Sequence, residues 1–112
     1  MILIVSYDLK AAQDYTPFYE MLKKQGTHSW SHYLSSTWLL STIRTPREVV
    51  DALKPYMGAN DFILVGEFSP VNYFGWMPPA TWEWLNAQNQ PGFPQFSHLA
   101  SILGSGADVI QK

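Results

Sequence analysis

The chain contains no cysteine. A disulfide framework, a thiolate nucleophile and a thiolate zinc site are therefore excluded. Charge is scarce too. Only 14% of the 112 residues are charged, and seven Lys plus Arg against nine Asp plus Glu leave a net charge of -2. A protein that coats duplex nucleic acid needs a basic face, and a pI near 5.8 does not provide one. Long apolar runs are missing as well. The longest unbroken aliphatic run is Ile2 to Val5, far short of a membrane span. The first residues show neither a basic n-region nor a small-residue cleavage site, which predicts no secretion signal and a cytoplasmic protein. Gly-x-Ser-x-Gly does not occur, and no Gly-Lys-Ser/Thr follows Gly104-Ser105-Gly106. A serine-hydrolase elbow and a phosphate loop are thus also absent.

What the chain has instead is apolar and aromatic mass. With 46% hydrophobic residues it is too apolar, and too weakly charged, for a disordered segment. Its 17 aromatic residues outnumber its 16 charged ones. The two sets are not mixed evenly. Residues 1–68 hold 13 of the charges. Residues 69–112 hold only Glu83, Asp108 and Lys112, yet carry seven aromatics and five of the eight prolines. The sequence predicts a core over 1–68 and an aromatic, proline-rich extension over 69–112 that packs on the core or on a partner subunit.

Within 1–68 the local signals are legible. Ile2 to Tyr7 is a run without alternation, as in a central strand. Thr16-Pro17 predicts a helix start with Thr16 as cap, and Phe18, Met21 and Leu22 make one apolar stripe. Lys23 and Lys24 suit its last turn, and Gly26 is expected to end it in the left-handed region. Ser29 to Ile43 has strand composition but exceeds one strand, so it splits near Leu34-Ser35-Ser36 into a hairpin. Trp30, His32 and Leu34 are expected on one face of its first strand. Thr45-Pro46-Arg47-Glu48 is a capping box opening a second helix that Pro55 bends or ends and Gly58 terminates. Phe62 to Phe68 is a last strand. The order predicts an α+β, ferredoxin-like βαββαβ fold: an antiparallel sheet with two helices on one face.

The opening ILIVSYDL, with SWSHYLSSTWLLST, the TPRE helix start and NDFILVGEF, resembles the small CRISPR-associated ferredoxin-fold nucleases that accompany the spacer integrase. It looks still more like the SinR family, which shares that fold. The resemblance covers residues 1–68 and implies a defence or counter-defence context. In the nuclease family the Asp closing the first strand is proposed to hold a metal with its symmetry mate, and Asp8 matches that position. The family's basic duplex-binding surface has no counterpart in this Lys/Arg-poor chain.

Two carboxylates such as Asp8 across a dimer axis can hold one Mg²⁺. An Asp after a strand equally serves as a turn former. His28 and His32 lie about 13 Å apart on a strand, too far to share a metal. Arg44 and Arg47 flank the second helix's start, where a phosphate fits, although a solvated cap explains them too. In the extension, Pro78-Pro79-Ala80-Thr81 predicts a short helix with Thr81 as cap, followed from Asn86 to Gln95 by a segment without periodicity. Phe74, Trp76, Trp82 and Leu85 suit packing or an interface. Tyr73, Trp76, Trp82 and Trp84, with Tyr7, Arg44 and Arg47, are the residues expected to meet a planar ligand, since bases stack on aromatics. Trp82 and Trp84 fall on different helix faces, so both cannot be core.

The expectation is a non-catalytic homo-oligomer, a dimer or higher, that sequesters a nucleotide-type small molecule. A phage protein removing a host immune signal fits that description. A Mg-dependent nuclease using Asp8 and a structural subunit without ligand are the alternatives. Without that alternative no cofactor is expected.

Overall fold

The first strand, β1 (Ile2–Asp8), becomes the centre of a sheet because both of its neighbours are distant in sequence. It pairs antiparallel with β3 (Thr37–Ser41) on one side and β4 (Phe62–Glu67) on the other. β2 (Ser29–Leu34) completes the order β2-β3-β1-β4. The computed structural model describes residues 1–89, and the chain divides between Phe68 and Ser69 into two compact units.

The first unit is α+β, a four-stranded antiparallel sheet with α1 (Thr16–Gln25) and α2 (Pro46–Leu53) on one face. This is compatible with a ferredoxin-like fold. Strand alternation selects the core. Leu3, Val5 and Tyr7 of β1 and Trp38 and Leu40 of β3 point at the helices. Phe18 and Leu22 of α1 and Val49 and Leu53 of α2 meet them, each fully enclosed. Each such side chain contributes about 1.5–3 kcal/mol through its burial.

Several local details depart from the sequence reading. Thr16 is already helical. The acceptor that holds this helix start is Asp14, whose Oδ1 accepts from Thr16 N at 2.9 Å and Thr16 Oγ1 at 2.7 Å. A carboxylate is a stronger acceptor than a neutral hydroxyl, and these bonds hold the Asp14 carboxyl below its ordinary value. Gly26 does not adopt the left-handed region; its φ and ψ are -77° and 79°. It is needed for space, since a Cβ would sit 2.5 Å from Ser29 O.

The hairpin turns at Ser35-Ser36, as expected. Its register, however, shifts between Ser31 and Leu34. Ser31 pairs with Leu39 and Leu34 with Thr37, which leaves His32 and Tyr33 opposite Trp38 alone. That bulge moves Leu34 off the face shared by Trp30 and His32. His32 stacks on Trp38 with ring centroids 4.1 Å apart, and Trp30 meets the same ring at a tilt, at 5.0 Å.

The capping box forms in full: Glu48 N donates to Thr45 Oγ1 at 3.2 Å and Thr45 N to Glu48 Oε1 at 2.9 Å. α2 ends at Leu53 and tightens into a 3₁₀ turn, Lys54–Tyr56, around Pro55, which has no N–H to continue the helix. Gly58 lies beyond this end and is not its terminator. A Cβ there would meet Ala11 Cβ at 2.7 Å, so glycine lets two loops touch.

In the second unit, Ser69 Oγ accepts from Asn72 N at 2.9 Å and Val71 N at 3.3 Å. Its helix, α3 (Pro79–Asn89), starts before Thr81 and runs past Leu85. Pro79 takes the first helical position, where its missing N–H costs nothing. Thr81 is therefore inside the helix rather than its cap, and Asn86 to Asn89 are helical rather than aperiodic. The sequence also predicts a loop at NQPGFPQ, residues 89–95, and a last short helix or strand from Ser97 or His98; beyond Asn89 both lie outside the described residues. No helix among the described residues is long and apolar enough to cross a membrane.

Candidate functional site

The residues expected to meet a ligand fall into three settings. Tyr7 is inside the core of the first unit. Its hydroxyl accepts from Trp38 Nε1 at 3.0 Å and donates to Ser35 O at 3.3 Å. Its ring packs edge-on against Phe18 at 5.2 Å. Burial raises its hydroxyl pKa to about 12, with the Trp38 bond opposing. Tyr7 thus holds β1 to β3 and is neutral at any ordinary pH.

Arg44 and Arg47 are exposed at the start of α2. Arg47 Nε lies 3.7 Å from Asp51 Oδ2 one turn on. The Glu48 carboxyl is held below its ordinary value by its bonds with Thr45 and, less strongly, by Arg44. Asp8 is exposed at the end of β1, 3.4 Å from Lys10 Nζ, and stands across the ladder from Phe62. Among the described residues no three His, Asp or Glu side chains cluster as metal ligands would.

Tyr73, Trp76, Trp82 and Trp84 belong to the second unit. Tyr73 stacks on Trp82 with ring centroids 5.9 Å apart and planes 21° from parallel. Trp82 and Leu85 are buried, as packing residues should be. Phe74 and Trp76, expected at a packed face or an interface, and Trp76 also at a ligand, are 77% and 71% exposed in the single chain. Trp84 is half-buried, on another side of α3 from Trp82.

The polar atoms of α3 are the unusual part. Trp82 Nε1, Trp84 Nε1, Thr81 Oγ1 and Asn86 Oδ1 are all enclosed, and none has a hydrogen-bond partner among the described residues. Two indole donors, a hydroxyl and an amide oxygen on a single helix are therefore without a partner there. Each buried polar group without a partner costs about 1–3 kcal/mol. Such groups call for something to bond. The same unit displays the Phe74 and Trp76 rings, and between Ser69 and Asn89 it carries one charge, Glu83.

A second polar centre escaped the sequence reading. Asp61 looks there like half of an Asn-Asp turn. Its carboxylate accepts from Lys10 N at 2.6 Å, Gly58 N at 2.7 Å, Ala11 N at 3.3 Å and the Tyr15 hydroxyl. It ties the β1–α1 loop to the α2–β4 loop. Desolvation pushes this carboxyl up, but the four bonds outweigh it and bring the pKa down to about 2. Tyr15 is pushed up, by desolvation first and by its bond to Asp61 second. No sequence signal marks the centre, because its donors at Lys10 and Ala11 lie 51 and 50 residues away.

The pH dependence follows in sign. A carboxyl whose folded pKa lies below its ordinary 3.8 stabilises the fold above that value, and the contribution is lost as pH falls toward 2. Asp61→Asn is expected to lower the urea midpoint at pH 7. The gap from the parent should shrink below pH 4 and close near pH 2. A gap that is constant with pH would show that the ionised carboxylate is not what binds the loops.

No protein-family model, curated protein or solved structure matches this chain.

Proposed function

We propose that the protein is a non-catalytic binding protein: a ferredoxin-like unit over residues 1–68 followed by an extension that holds a planar, nucleotide-type small molecule. One observation carries this reading. α3 encloses two indole N–H donors and two side-chain acceptors that nothing in the described chain satisfies. A heterocyclic base offers ring nitrogens and carbonyls to the donors, an exocyclic amine to the acceptors, and a flat face to Trp76. Stacking of this kind contributes about 1–3 kcal/mol per ring. With Glu83 as its only charge, the segment Ser69–Asn89 grips the base and not the phosphates.

Catalysis is not part of the reading, because nothing in this arrangement activates a nucleophile. The likeness of residues 1–68 to SinR proteins supports a setting in which the bound molecule is a defence signal.

The test is retention. Protein purified from cells is heat-denatured, and the released small molecules are identified by mass spectrometry. Titration calorimetry with mono-, cyclic and dinucleotides then gives affinities. A nucleotide released at near one per chain supports the proposal. Nothing released, and no heat with any member of the panel, sinks it.

A further inference from the structure

β4 is the last strand in the order β2-β3-β1-β4, and among the described residues no strand pairs with its outer side. The two edges of this sheet are not alike. β2 carries the bulge at His32–Tyr33, a device that spoils pairing with another chain. β4 has a regular register with β1 from Phe62 to Glu67, no proline and no lysine. A bulge, a proline and a lysine, three usual protections of an edge, are missing from it.

The hydrogen-bond phase of that edge is set. Phe68 N donates to Ile2 O at 2.8 Å, continuing the β1–β4 ladder. Hydrogen-bonded pairs alternate along an antiparallel ladder. Phe62, Leu64 and Gly66 therefore turn their backbone groups to β1. Ile63, Val65 and Glu67 turn theirs outward.

Beside this edge lies an open groove of about 700 Å³, lined by Val50, Lys54, Met57, Asp61 and Ile63 among others. Its cation, Lys54, is exposed, and so is Glu67 at the other end of β4. Neither has an ion pair among the described residues. One strand edge thus has a free cation near its start and a free anion at its end. Antiparallel pairing with an identical strand brings the two together, and does so twice.

We infer that β4 pairs with β4 of a second copy of this chain, across a two-fold axis at Val65. In this register Val65 faces Val65 of the second copy and Ile63 faces its Glu67. The outward N–H and C=O of Ile63, Val65 and Glu67 are then all bonded. Glu67 of each copy enters the groove of the other beside Lys54. On the opposite face Leu64, 75% exposed, stands across from Gly66 of the second copy. A Cβ placed on Gly66 meets nothing within 4 Å, so there is room for the leucine. Two sheets become one continuous sheet, and directly opposed residues share a face, as pairing requires.

The test is a charge swap on the full chain. Sedimentation velocity is run on the parent, Lys54→Glu, Glu67→Lys and the double variant, with thermal melts as a folding control. Both side chains are exposed, so all four should keep the parent's far-ultraviolet spectrum and unfold cooperatively, the single reversals at a somewhat lower temperature because they have lost their partner. The parent sediments as a dimer. Each single reversal puts like charges together twice and weakens the dimer by about tenfold or more. The double variant restores it. A monomeric parent overturns the inference. So does a dimer indifferent to the single reversals, or one the double variant fails to restore, since either assigns self-association to another surface. The result is separate from ligand retention: a monomer that carries a nucleotide removes this inference alone, and an empty charge-swapped dimer removes only the ligand reading.

Discussion

Trp38→Ala is expected to cost about 3–5 kcal/mol, the range for removing a large buried aromatic. Trp38 is 2% exposed on β3, opposite Val5 of the central strand. Its indole meets Tyr19, Trp30 and His32, with the His32 centroid at 4.1 Å. Its Nε1 donates to Tyr7 Oη, so alanine opens a cavity and also removes one partner of a buried hydroxyl. Domains of this size have only about 5–15 kcal/mol of stability in all. The variant should be unfolded, or nearly so, at 37 °C, as read by far-ultraviolet circular dichroism in a urea series. Trp38→Phe separates the two effects. It refills much of the space and loses only the hydrogen bond and part of the packing, for about 1–2 kcal/mol. An alanine variant that melts within about 1 kcal/mol of the parent would mean that this ring does not organise the core.

Trp76→Ala should leave stability almost untouched and lower ligand affinity by about 1–3 kcal/mol, or roughly 5- to 150-fold. The contrast rests on exposure. Trp76 is 71% exposed, and exposed substitutions away from special features usually move stability by less than about 0.5 kcal/mol. Trp82 does not serve for this test. It is buried and stacked on Tyr73, so its removal would reduce folding and binding together. The measurement is a pair of values for one protein: a thermal midpoint equal to the parent's, and a calorimetric affinity that has dropped. Affinity unchanged by Trp76→Ala removes that ring from the site. A joint fall in midpoint and affinity would make it a packing residue.

The two test residues show how sequence and structure divided the information. The order of elements was open to reading because each signal is carried by adjacent residues. The capping box needs only Thr45, Pro46 and Glu48, and it forms as read. The apolar stripe of α1 needs only positions one turn apart, and Phe18 and Leu22 are buried accordingly. The separation of Trp82 from Trp84 needs only helical geometry once α3 exists.

Where two segments compete or meet, the same reasoning falls short. Thr16 has the chemistry of a cap, yet Asp14 takes the role with a stronger acceptor two residues earlier. Leu34 follows strand alternation until the bulge opposite Trp38 turns it to the other face. Tyr7 looks like a polar-tipped aromatic available to a ligand, but the fold gives its hydroxyl to Trp38 and Ser35. Phe74 and Trp76 suit a packed face or an interface by composition, and the fold leaves both exposed within the chain.

By itself, then, the sequence determined the order of strands and helices over residues 1–68, the α+β class and the classes of chemistry ruled out by missing residues. Those depend on spacing of a few residues and on composition. Only the tertiary structure decided which polar groups are satisfied. Asp61 became a hub because two loops some 50 residues apart converge on it. Among the described residues the α3 donors have no partner and the outer side of β4 pairs with no strand, because of where each element ended up. A hydrogen bond is specified by two partners, and when they are far apart along the chain neither one's neighbours reveal the other.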